Sequence, residues 1–151
     1  MTRIDNDPDL RAALKELTPD QQRRLGCRFA QDVMHLSRDA RVNRAIATGL
    51  MDLITPEEIE GAFKVARAYA VKTYTDCGKD TDWMAQADHF VAAAAAAALM
   101  PDELMTERQN RAWKAAVQAR MAVSCAMMED DSADESRTAR QQYALTAEFL
   151  D

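Results

Sequence analysis

The chain has 151 residues, a formal net charge of −6, 48% apolar residues and 6% aromatics. That length suits one domain with its own core, and the apolar share argues against wholesale disorder. Four glycines and four prolines are too few for the tight turns of an all-β chain, so the expected class is all-α, a single domain over 1–151 of about six to seven helices with no β-sheet. The first helix is expected over Pro8 to Leu17, with Asp7 as its cap and Pro8 at the first position. Thr18-Pro19-Asp20-Gln21 is a capping box that opens the second, where Leu25, Phe29, Val33 and Leu36 share a face. The third runs from Asp39 to Leu53 on Val42, Ile46, Leu50 and Leu53.

Thr55-Pro56-Glu57-Glu58 repeats the capping grammar and begins the fourth helix. Its inner face is expected to be Ile59, Phe63, Ala66, Ala70 and Thr73 or Tyr74, and Cys77-Gly78 should end it. Asp80 or Thr81 then caps a fifth, Asp82 to Leu99, striped by Trp83, Ala87, Val91, Ala94, Ala95 and Ala98. Seven alanines in a row, Ala92 to Ala98, let neighbouring backbones come close, which places this helix centrally, wrapped by the fourth, sixth and seventh. The sixth is read as one long helix from Glu103 to Met128, with Trp113, Val117, Met121 and Met128 filling gaps left by its alanines. After an acidic loop at 129–135, in which Ser132 to Glu135 is a third candidate capping box, the last helix covers about 133–150 on Ala139, Tyr143, Ala147 and Leu150.

The opening MTRIDNDPDL has no apolar run behind a basic segment, so no secretory leader is expected. The longest apolar run, Phe90 to Met100, is eleven residues against about 20 for a membrane span. Cys27, Cys77 and Cys125 are odd in number and widely spaced, which reads as reduced thiols in a cytoplasmic protein. An acidic chain is a poor phosphate binder, so nucleic acid is not an expected partner.

Candidate chemistry is sparse. The two histidines stand in Asp32-x-x-His35 and Asp88-His89, where a carboxylate next to an imidazole could hold a metal or orient a base. The Glu-x-x-His pairs of a di-iron bundle, Cys-x-x-Cys, phosphate loops and nucleophile elbows are missing from the sequence. The expectation is a non-catalytic protein with no cofactor and no metal. Cys77 is the best-exposed thiol candidate, although a helix C-terminus and nearby acids disfavour a thiolate there. Arg23, Arg24, Arg28, Arg38, Arg41 and Arg44 crowd into 22 residues. Arg24, Arg28, Arg41 and Arg44 need carboxylate partners within the chain or a bound anion. Opposite in sign stand Glu129, Asp130, Asp131, Asp134 and Glu135, five acids in seven residues. They read either as a loop pairing partly with the arginines or as a surface that steers a basic partner. Glu60–Lys64 and Glu107–Arg111 have the spacing of helix ion pairs.

Gly26 to Val33 with Cys27 inside it, then Asp39-Ala40-Arg41 leading to Ala45-Ile46, carry a resemblance over about residues 20–128. So do the acidic cap at Thr55–Glu58 and the alanine-spaced helices with Asp-His and Trp landmarks. In these the chain resembles the alanine-rich, all-helical immunity proteins of bacterial polymorphic toxin systems. The family's tryptophan near the start of the first core helix, and its proline-containing stretch before Asp-x-Arg, have no clear counterpart here. The resemblance implies a small cytoplasmic protein that binds and neutralises a cognate toxin without catalysis of its own, and the acidic charge and the 129–135 cluster suit a basic toxin domain. Two alternatives remain open: a self-associating scaffold, and a metal- or small-molecule-dependent helical enzyme using the Asp-His pairs.

Overall fold

The local signals that start a helix are strong here, and they place most of the elements. In a computed structural model, residues 2–74 and 81–151 are described. They form seven α-helices and no strand: α1 Asp7–Lys15, α2 Pro19–Asp32, α3 Ala40–Gly49, α4 Pro56–Thr73, α5 Trp83–Leu99, α6 Arg111–Ala126 and α7 Glu135–Leu150. Short 3₁₀ turns follow α2 at Met34–Leu36 and α5 at Asp102–Leu104. Two of the three candidate capping boxes close in both directions, Thr18 with Gln21 and Thr55 with Glu58, each with proline in the first turn; at the third, Asp134 and not Ser132 caps the helix. The Cys77-Gly78 helix end and the Asp80 cap lie outside the described residues.

Several boundaries differ from the sequence expectation, each for a local reason. Asn6, not Asp7, caps α1 by accepting from the Asp9 N–H. Asp7 is thereby inside the first turn, where a carboxylate meets the positive end of the helix. Helix α3 stops at Gly49, and Leu53 is 90% exposed rather than part of its stripe. Asp82 caps α5 through the Ala85 N–H. Helix α6 begins at Arg111 rather than Glu103, because the Asn110 side chain caps it through the Trp113 N–H and also donates to the Leu14 carbonyl. Its 16 residues span about 24 Å at ~1.5 Å per residue. Arg111 therefore pairs with Asp102 instead of Glu107, while Glu60–Lys64 forms as expected at 3.1 Å. Helix α7 is capped by Asp134, which accepts from Ser136 and Arg137.

Helix α5 is central, as its alanines suggest, and is buried on nearly every side. Its neighbours are α6, α4 and α2; α7 packs instead on α6 and α2. In α6 the buried residues are mostly alanines, Ala112, Ala115, Ala116, Ala119, Ala122 and Ala126, joined by Arg111, Val123 and Cys125; Trp113 and Val117 are half-buried, while Met121, and Met128 beyond the helix end, are exposed. Met121 and Met128 therefore do not fill alanine gaps, whereas Trp113 packs against the cluster around Leu10, Leu14 and Phe29; toward α5, small faces meet small faces and the helices close up. Gly26 shows how tight this is, since a Cβ there would lie 2.9 Å from the Ala98 Cβ and 3.4 Å from that of Ala115. In α7 the buried face is Thr138, Gln142, Leu145 and Thr146, rotated from the expected Ala139, Tyr143, Ala147 and Leu150.

A second cluster, of Leu10, Leu14, Leu25, Phe29 and Leu145 over Ala112 and Ala116, joins α1, α2, α6 and α7. None of the helices described is long and apolar enough to cross a membrane.

Candidate functional site

The turn between α6 and α7 is built by the end of α6. The Asp130 N–H reaches back to the Ala126 carbonyl at 2.8 Å, and the Ala133 N–H to that of Asp130 at 3.1 Å. The Met127 sulfur accepts from the Glu135 N–H, which closes the loop on itself. Within it, Asp130 accepts from the Ser132 N–H and hydroxyl, which holds its carboxyl below the ordinary value. Asp134 is lowered in the same way, first by the Ser136 hydroxyl. Glu129 and Asp131 are exposed, and neither side chain makes a hydrogen bond or ion pair with the described residues. Glu135 is partly exposed. Met127 and Met128 stand beside these acids at 45% and 60% exposure.

The same loop forms one wall of a cleft of about 280 Å³ whose other wall is the end of α2. Asp32 and His35 line it together with Asp130, Asp134 and Arg137. Two groups that the sequence singles out separately, the Asp32-x-x-His35 pair and the acidic loop, thus share one site. Burial raises the Asp32 carboxyl, and the positive charge available on His35 opposes that rise. His35 also helps to lower Asp130.

Asp88 and His89 turn to separate structural contacts. Asp88 accepts from the Arg38 backbone N–H at 2.6 Å and from the Tyr69 hydroxyl at 2.7 Å, tying α5 to α4 and to the segment before α3. Burial and this bond raise the Tyr69 phenol to about 12. His89 Nδ1 lies 3.0 Å from the Thr73 hydroxyl, between the rings of Tyr74 and Phe90. Burial lowers its imidazole. The described residues hold no group of three or more His, Cys, Asp or Glu side chains that could bind a metal ion. Cys27 is fully buried, which raises its thiol to about 12, and Cys125 is buried as well. Cys77 lies outside the described residues.

The arginines do not reach the acidic loop. Arg24 pairs with Asp20 at 3.1 Å and Asp52 at 3.2 Å, and lies over the Phe149 ring. Arg28 faces Glu148 at 3.8 Å, and Arg41 is held by Asp39 at 3.0 Å. Arg44 is exposed with no ion pair among the described residues. The expectation that the loop pairs partly with this cluster is therefore corrected: local acids and the end of α7 take the arginines, because α2 packs beside α7 and carries Asp20 itself.

Two polar groups escaped the sequence reading. Arg120 makes a two-pronged pair with Asp7 at 2.8 and 3.0 Å, donates to Gln142, and stacks over Trp113. Tyr143 adds a hydrogen bond to the same Asp7 carboxylate. Arg23 and Arg111 are buried beneath a second cleft. Arg111 could have been noticed as a charge at the head of a run of inward alanines. No family model matches the chain, and neither a curated protein nor a solved structure matches it.

Proposed function

We propose that this is a non-catalytic, cytoplasmic protein-binding domain, an immunity-type antagonist that binds and neutralises a basic toxin domain. The observation that supports this reading is the loop of acids and methionines at 127–135, in which Glu129, Asp130, Asp131, Met127 and Met128 are exposed and no acid forms an ion pair with an arginine among the described residues. Exposed thioethers give adaptable apolar contact. Flanking carboxylates steer a cationic surface into place and are screened by salt. Glu129, Asp130, Asp131, Asp134 and Glu135 would meet the basic cleft of the toxin and cover it.

Affinity capture with the tagged chain from its native lysate tests this. One stoichiometric basic protein, released at high salt, is the expected result. Reversing Glu129, Asp130 and Asp131 to lysine should abolish that capture while Asp134 still caps α7. Unchanged capture across salt concentrations by the reversed variant would remove the loop from the interface. The exposed Met121, Met127 and Met128 favour a second reading, a self-associating scaffold. Sedimentation that shows a monomer at all concentrations would exclude it.

A further inference from the structure

A second cleft, of about 360 Å³, opens where the starts of α2 and α4 meet the end of α5 and the turn after it. Its apolar wall includes Ile59, Leu99, Met100 and Pro101. Concave sites of roughly 300–1,000 Å³ with an apolar wall and a few polar groups are the usual form of a small-molecule site.

The polar groups here are unusual. The side chains of Arg23 and Arg111 line the cleft at only 4% and 8% exposure. A buried guanidinium is costly unless its N–H groups and charge are met. Arg23 donates to the carbonyls of Gly49 and Met51 and pairs with Asp20, so it closes the end of α3. Arg111 is less complete. Its Nε donates to the Met100 carbonyl at 2.6 Å and its Nη2 pairs with Asp102. Its Nη1 has no hydrogen-bond partner among the described residues and is open to water. Next to Asp102, the exposed Glu103 lines the same cleft, and its carboxylate likewise has no such partner. The remaining acid, Glu60, is held by Lys64.

These charges select a ligand. The lining carries two arginines against Asp20, Glu60, Asp102 and Glu103, so a simple anion would enter a negative surround. A simple cation would leave Arg111 Nη1 unmet while removing its water. A molecule with both charges and an apolar group satisfies every part. We infer that this cleft binds a small zwitterionic amino acid with an apolar side chain of about the size of leucine. Its carboxylate accepts from Arg111 Nη1, its ammonium meets Glu103, and its side chain lies on Ile59, Leu99 and Pro101. The site uses no residue of the acidic loop, so it stands or falls apart from the antagonist reading.

The test is an NMR titration of the whole chain with leucine and with two analogues, 4-methylpentanoate, which lacks the amine, and 3-methylbutylamine, which lacks the carboxylate. Leucine should give saturable shifts in the amides of residues 57–60, 98–100 and 102–104, and each analogue should bind about ten-fold or more weakly. Glu103→Gln, at an exposed position that supports no packing, should weaken leucine by a similar factor and leave the spectrum otherwise intact. Ile59→Trp, which fills the cleft from its rim, should abolish the shifts. Absence of saturable shifts with leucine would overturn the proposal. So would an analogue that binds as tightly as leucine, or leucine binding unchanged by Glu103→Gln.

Discussion

The two packed regions that meet at α2 and α6 use alanine in opposite ways. Toward α5, small residues oppose small residues: Ala94, Ala95 and Ala98 belong to one cluster with Ala115, Ala119 and Ala122. There the helices approach until a single added methyl at Gly26 would collide. Toward α1 and α7, Ala112 and Ala116 share a cluster with Leu10, Leu14, Leu25 and Phe29, large side chains that the small α6 face leaves room for. A polar tie, Asp7 with Arg120 and Tyr143, sits beside that second region. One region gains its contacts from backbone proximity and the other from side-chain volume. They should therefore fail differently.

Volume loss is the larger effect. Phe29→Ala empties the recess between α1, α2 and α6 and should cost about 3–5 kcal/mol, read from the urea midpoint. In the other region the damage comes from added volume. Gly26→Ala should destabilise by about 1–3 kcal/mol, since the atom it meets is a Cβ fixed to the α5 backbone. A neutral Gly26→Ala would mean that α2 and α5 can separate freely and that the two regions do not differ in tightness.

The regions also titrate in different windows. On the α4–α5 side, burial lowers His89 below its ordinary value of 6.5. Its stabilising effect is complete above that value and is lost as pH falls through the folded-state value. Urea unfolding should show stability declining from pH 7.5 toward 5.5, and His89→Gln should flatten that slope. On the α1–α7 side, the hydrogen bond from Arg120 lowers Asp7 below 3.8. Its contribution is present above pH 4 and is lost only as pH falls further, so Asp7→Asn should flatten the acid limb alone.

The smallest expected effect comes from a second helical glycine. Gly61 lies inside α4 with open space where its Cβ would be. Gly61→Ala should stabilise by about 0.5–1 kcal/mol, the opposite sign to Gly26→Ala.

The candidate site was legible in pieces. The acidic loop and Asp32-x-x-His35 are visible as residue types, but the cleft that unites them depends on α2 ending against the α6–α7 turn. The pairing of Arg28 with Glu148, and of Arg120 with Asp7, joins opposite ends of the chain and leaves no local pattern. Arg23 and Arg111 look like surface residues by type. They are buried because each caps the carbonyl end of another helix, α3 and α5 respectively.

By itself the sequence determined that the chain is helical and where most helices start. Thr18, Thr55 and their partners act within three residues, so their effect does not depend on what the helix later meets. It also marked α5 as central, because a run of seven alanines has no polar face to give to water. The tertiary structure alone decided which face of α6 and α7 turns inward. An alanine-rich helix carries little contrast in size or polarity around its axis. Its rotation is set by where the neighbouring backbones can come closest, and in α7 by Gln142, which donates to the Ala116 carbonyl and accepts from Arg120, both on α6.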